Sequence, residues 1–172
     1  QHNLISTATA LAQVGLGWPE SLAIAETVFA ATDGLHHGPG VPLAGTEAML
    51  PMVGRLRAAG LRLAVISNDS ADGIRRFLGD LQIAHLFAAE LWSADDRPGK
   101  PDPAAVHGLC RRLGTTADRC ALIGDANSDL HMARAAGVAV VLGYRSGWTV
   151  APPLDPQVPH LDHWDELDVV PG

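Results

Sequence analysis

The segment Gly124-Asp125-Ala126-Asn127-Ser128-Asp129 carries two carboxylates four positions apart, where the apolar run CALI at 120–123 gives way to a helical pattern. Acids at such a junction can point into one mouth, and their mutual repulsion there is relieved by a cation. Hard oxygen ligands in small number suit Mg²⁺, which keeps several of its waters. Asp125 and Asp129 are therefore candidate metal ligands, and Gly124 allows close backbone approach. The competing reading gives Asp129 to the helix dipole and Asp125 to the turn. Further upstream, Pro98-Gly99-Lys100-Pro101-Asp102-Pro103 holds the only lysine of the chain, against eleven arginines. A compact ammonium suits a contact shared between a carboxylate and a phosphoryl oxygen, whereas guanidinium is a rigid fork. Ser67-Asn68-Asp69-Ser70 follows a second apolar run, LRLAVI at 61–66. A hydroxyl with several backbone N–H groups at a strand-to-helix turn makes an anion seat, although Ser and Asn also fill turns that bind nothing.

The elements that must position these residues follow an alternation. Thr46 to Ala59 reads as a helix with Met49, Leu50, Val53 and Leu56 on one side and Gly60 as its stop. Residues 61–66 read as a buried strand, and Ser70 caps a helix whose apolar stripe is Ile74, Phe77, Leu78 and Leu81. A weak strand is expected within 85–92. Asp102-Pro103 opens a helix through Val106, Leu109, Cys110 and Leu113 that Gly114 closes. Strands follow at 120–123 and 138–142, with a helix from Asn127 to Ala136 between them, closed by Gly137. The tail from Ala151, rich in Pro and Asp, is expected to wrap the surface. Apolar strands alternating with amphipathic helices predict an α/β fold, a parallel sheet covered on both faces. Ligands in such sheets sit beyond the carboxyl ends of the strands, where the 67 and 125 segments fall. Ahead of this region, residues 3–32 read as helical with Pro19 at a first helical position, and 34–45 (GLHHGPGVPLAG) reads as a linker or loop.

Composition narrows the function classes. Of the 172 residues, 47% are hydrophobic and 18% charged, which disfavours disorder. A formal net charge of −7 disfavours a nucleic-acid partner held through phosphates. No apolar run reaches membrane-spanning length, and Gln1-His2-Asn3 opens no positive region followed by an apolar core, so no signal peptide is expected in this sequence. A cytoplasmic globular protein is expected. Cys110 and Cys120 give no disulfide framework and read as small core residues. Asp95-Asp96 reads as solvated, His36-His37 as a surface loop pair, and Trp18, Trp92 and Trp148 as packing. His160, Asp162, His163 and Asp165 lie in a tail without a rigid element to make them a metal site, and His163-Trp164 is expected to pack that tail down. Gln1 is not a usual residue to follow a removed Met, so the chain is expected to begin within a longer protein.

Three phrases in order, LAVISNDS (63–70), GKPDPAAV (99–106) and ALIGDANSDLHMARAAG (121–137), resemble the motifs of the haloacid dehalogenase superfamily of hydrolases. The similarity is greatest to its phosphoglycolate-phosphatase-like branch with a helical cap, and it covers roughly residues 46–145. It implies a Rossmann-like core, Mg²⁺ dependence, and phosphoryl transfer from a small phosphorylated substrate through an aspartyl-phosphate. By position, Ser67 would hold a phosphate oxygen with the Asn68 backbone nearby. Lys100 would neutralise the nucleophile and the phosphate. Asp125 would ligate Mg²⁺, and Asp129 would do so directly or through water.

The family's first motif, Asp-x-Asp at the end of the first strand, is not matched upstream of residue 46. Aligning Asp33 with its second Asp puts Ala31 at the nucleophile, and alanine cannot attack phosphorus. Residues 1–45 instead resemble half of the cap with its linker, and 46–172 the hydrolase core, incomplete on its N-terminal side. The absent strand is central in the family, between 61–66 and 120–123. Its neighbours are expected either to pair directly or to receive a strand from a separate segment. The 172-residue chain alone is expected to be inactive toward phosphate esters. A dehalogenase on the same scaffold would not need the Asp125–Asp129 pair, and a non-catalytic binding or assembly protein would not need the nucleophile. A nucleotide-binding module is disfavoured, because no strand is followed by Gly-x-Gly-x-x-Gly.

Overall fold

The computed structural model describes residues 2–33, 46–146 and 153–169. The chain divides into two compact units, Gln1–Val41 and Pro42–Gly172. His36-His37, the 34–45 linker and Trp148 lie outside the described residues.

The first unit is a helical hairpin, α1 (His2–Gln13) and α2 (Trp18–Asp33). Residues 3–32, read as helical, are two helices, and Pro19 lies in the first turn of the second. The break sits at Gly15, whose φ of +104° is a conformation that side chains disfavour. There Leu16 N donates to Leu11 O (3.4 Å) and Gly15 N to Ala12 O (3.1 Å), the paired bonds that end a helix and free the chain to turn back. Ala8 and Ala25 are fully buried in this small unit. Trp18, expected to pack, is 46% exposed, and Ile5, Val14, Ile24 and Val28 are exposed as well.

The second unit holds α3 (Thr46–Ala58), α4 (Ala71–Asp80), α5 (Pro103–Leu113) and α6 (Asn127–Ala135). Among the described residues its sheet has three parallel strands in the order β1 (Ala121–Gly124), β2 (Val140–Tyr144), β3 (His160–Leu161). The register sets Ala121 opposite Val140, Gly124 opposite Gly143, and Gly143 opposite His160. β3 comes from the tail expected only to wrap the surface. That tail also packs Leu154 and Val158 on Leu130 and Val141, and Trp164 stacks on Tyr144 with ring centroids 3.9 Å apart.

The predicted strand at 61–66 is not a regular strand. It meets its neighbour at two isolated parallel bridges, Leu63 with Phe87 and Ile66 with Trp92. The weak strand expected at 85–92 is likewise reduced to a 3₁₀ turn at Ala84–Leu86 and those two bridge points. Side-chain alternation is nevertheless kept. Val65 packs with Ile74 and Leu78 of α4, while Ala64 and Ile66 pack toward Ala105 and Leu109 of α5. Helices therefore cover both faces of this segment, as a parallel α/β core requires. β1 has β2 on one edge, and its other edge has no ladder partner among the described residues. The direct pairing of 61–66 with 120–123 is thus not formed among them. The two segments are joined through side chains instead, since Ile66 and Leu122 border one apolar cluster built on Val106, Cys110, Met132 and Ala133.

Candidate active site

The Ser67 turn is laced to the loop that follows Trp92. Ser67 N donates to Trp92 O (2.9 Å), and Ala94 N donates to Asp69 O (2.8 Å). The Ser67 hydroxyl accepts from Asp69 N at 3.1 Å. Ser70 caps α4 by accepting from Gly73 N at 3.1 Å, as its residue type predicts. Asp95, expected to be solvated, accepts from Ala71 N at 2.9 Å and so satisfies a second orphan donor of the same helix end. Asn68 is exposed, and its side chain makes no hydrogen bond among the described residues.

Asp96 is not simply solvated either. It accepts from Ser93 N (2.8 Å) and from Arg112 Nη2 (2.5 Å). The Arg112 guanidinium, followed by the Ser93 backbone N–H, holds the Asp96 carboxyl down to about 2. Arg112 also lies 4.4 Å over the centroid of the buried Trp92 ring and donates to Leu91 O at 2.6 Å. The Trp92 indole N–H in turn donates to Pro98 O at 2.9 Å, two residues before Lys100. The peptide bonds preceding Pro98 and Pro101 are cis. Asp102 then starts α5 by accepting from Ala104 N at 2.8 Å. Arg112 and Trp92 thus brace the lysine loop from below. Trp92 is buried as expected, and its pairing with Arg112 leaves no mark in the sequence, since the two lie twenty residues apart.

Lys100 Nζ stands 2.7 Å from Asp129 Oδ1, with the two side chains 16% and 11% exposed. Asp129 lies in the first turn of α6 directly over Gly124, where a Cβ would fall 2.6 Å from the Asp129 Cβ. Gly124 therefore provides the close approach expected of it. Asp125, at the end of β1, is exposed, and its carboxylate makes no hydrogen bond or ion pair among the described residues. Asn127 pins the tail to this helix start, donating to Pro153 O (2.8 Å) and accepting from Asp155 N (2.7 Å). That role also escaped the sequence, since the tail carries no pattern that points to α6.

The structure therefore brings Lys100 and Asp129 into contact and connects the Ser67 turn to the same loop through backbone bonds. It forms no direct bond from Ser67 or Asn68 to either of them. No group of three or more His, Cys, Asp and Glu side chains suited to a metal ion occurs among the described residues. The donor chemistry is still that of a hard cation. Asp125 has an uncommitted carboxylate, and Asp129 has an oxygen beyond the one that Lys100 holds. Such a pair fits Mg²⁺ only with waters or a phosphate completing the shell.

An α/β core with a hydroxyl turn, one ammonium and two acids around the carboxyl ends of parallel strands defines the class. The chain belongs to the haloacid dehalogenase-like hydrolases, whose family model matches residues 42–137. It is 37% identical over 95 residues to a phosphoglycolate phosphatase of Colwellia psychrerythraea, covering 54% of this chain and 42% of that one. It is 33% identical over 138 residues to a phosphoglycolate phosphatase of Rhodospirillum rubrum, covering 78% of this chain and 57% of that one. The chain thus spans about half the length of the curated relatives it matches. A crystal structure of a predicted phosphoglycolate phosphatase from Haemophilus somnus superposes with a TM-score of 0.68 at 22% identity, over 86% of this chain and 65% of that one. That likeness supports the fold, including the Rossmann-like core. No helix among the described residues is long and apolar enough to cross a membrane.

Proposed function

We propose that this chain belongs to a cytoplasmic, Mg²⁺-dependent phosphatase of small phosphorylated metabolites, phosphoglycolate among them. The observation that carries the reading is the 2.7 Å contact of the sole lysine with Asp129. It joins an ammonium to one acid, with Asp125 four positions before that acid in the chain, a combination that suits holding an anion and a cation side by side. In this reading Lys100 holds a phosphoryl oxygen and the attacking carboxylate together, and the Ser67 hydroxyl with the Asn68 backbone N–H binds another oxygen of the phosphoryl group. Asp125 and Asp129 would hold Mg²⁺, which supplies charge neutralisation of the phosphoryl oxygens when bound. The nucleophile that forms the aspartyl-phosphate, and the acid that protonates the leaving group, come from a strand outside these residues. The edge of β1 that has no ladder partner among the described residues, and the sparse bridging of 63–66, support such a strand lying between them. Closure of a cap would exclude water and help to choose the substrate.

The test is orthophosphate binding by the 172-residue chain, followed by calorimetry with and without Mg²⁺. Mg²⁺-dependent binding is expected, weakened about tenfold or more in Lys100→Ala and in Asp125→Asn. Phosphate binding by neither form of the wild type would overturn the reading. Hydrolysis of p-nitrophenyl phosphate by the chain alone is expected to be absent; robust turnover lost in Asp125→Asn would show that the nucleophile lies within these residues after all.

A further inference from the structure

Cys110 lies near the C-terminal end of α5, and Cys120 immediately ahead of β1. Both are free thiols, and their Sγ atoms are 3.9 Å apart. A disulfide of about 2.05 Å needs an approach of roughly 2 Å from there, within reach of side-chain rotation and a small shift. The two thiols differ in access. Cys110 is buried against Val106, Met132, Ala133 and Ala136. Burial, then the neighbouring sulfur, pushes its thiol up to about 11. Cys120 is half-buried, and its Sγ–H donates to Thr116 O at 3.2 Å. Cys120 is thus the less buried of the two, at the border of the apolar cluster in which Cys110 is packed. An accessible thiol backed by a resolving thiol is the arrangement of an oxidant-responsive pair.

We propose that Cys110 and Cys120 are a modification site for hydrogen peroxide, with Cys120 as the attacked thiol and Cys110 as the resolving one. The Cys120 thiolate attacks one peroxide oxygen. An S–O bond forms, the O–O bond breaks, and the departing hydroxide takes up the thiol's proton as water. The Cys110 sulfur then attacks the sulfenic sulfur. The S–S bond forms, the S–O bond breaks, and the hydroxyl leaves with the Cys110 proton as a second water. Two thiols are oxidised by two electrons in all, and one peroxide is reduced. α5 starts at Pro103, shortly after Lys100, and β1 ends at Gly124, one residue before Asp125. The bond would tie the far ends of the two elements that carry the candidate site without touching the site itself.

The test treats the 172-residue chain with a few equivalents of hydrogen peroxide, alkylates it in denaturant and digests it with trypsin. Lys100 and Arg97 are each followed by proline, so Cys110 falls in peptide 77–111 and Cys120 in peptide 120–134. These two peptides are expected to be joined within one monomer, with a mass lower by about 2 Da and reversal by dithiothreitol. Cys120→Ser should abolish the link and leave Cys110 reduced at the same dose. Cys110→Ala should leave a Cys120 sulfenic acid that dimedone traps. Should Cys110→Ala not fold, the Cys120→Ser result decides alone. Dimedone-trapped Cys120 in the wild type without a link, a link between two chains, or oxidation of Cys110 in Cys120→Ser would each overturn the proposal.

Discussion

Asp129 is an acid buried at a helix start, and the nearest cation to it is the one lysine the chain possesses. Removing one member of a buried pair strands the other charge, which costs more than the pair itself is worth. Lys100→Met is therefore expected to lower stability by about 3 kcal/mol. The double variant Lys100→Met with Asp129→Leu should recover much of that loss, and urea unfolding of the three proteins checks it. Gly124→Ala belongs to the same contact. Its added methyl would stand 2.6 Å from the Asp129 Cβ. The first turn of α6 must shift, at a cost of about 1–3 kcal/mol on unfolding. The position of Lys100 against Asp129 should loosen with it, read as weaker Mg²⁺-dependent phosphate binding.

Between residue and domain stands the loop from Ser93 to Pro101, held by Asp96 and Arg112 at one end and by the Trp92 indole near Pro98. Asp96 is held near 2 in the folded chain, below its ordinary value of 3.8. Between those values the unfolded chain binds more protons than the folded one, so stability rises with pH there. The contribution is complete above about pH 4 and is lost as pH falls toward 2. Asp96→Asn should therefore lower the melting temperature at neutral pH, and the gap to the wild type should close through that acid window. Trp92→Phe keeps an aromatic ring but drops the N–H donor to Pro98 O and leaves part of the buried indole's volume empty. A loss of about 2 kcal/mol is expected, with amide hydrogen exchange faster in the 98–102 segment than elsewhere.

The largest unit depends on its tail. Leu154 and Val158 cover Leu130 and Val141, and β3 adds the third strand. Arg145 pairs with Asp162 on the same side and holds that carboxyl below its usual range. Leu154→Ala is expected to cost about 2–4 kcal/mol by denaturant unfolding, the usual loss when a buried Leu leaves a cavity. An effect within experimental error would mean that the tail only drapes over the surface.

Helix boundaries were legible residue by residue. Ser70 and Asp102 accept the bonds expected of caps, and Gly114 ends α5 in the left-handed region at φ +63°. These are local matters, decided within four residues of chain. Lys100, Asp125 and Asp129 stood out because their types are rare or paired at turns between elements. The strands were less legible. A run such as LRLAVI says that it will be buried, but a ladder also needs neighbours, and this segment meets one at two points only. β3 has two residues, too few to carry a period. The α/β alternation, the caps and the side chains capable of chemistry follow from residue order alone, since each depends on short-range sterics or on residue type. Only tertiary packing decided that the ammonium meets Asp129, that Arg112 braces Trp92, and that two cysteines ten positions apart touch. Those contacts depend on how separate elements stack, which no local pattern encodes.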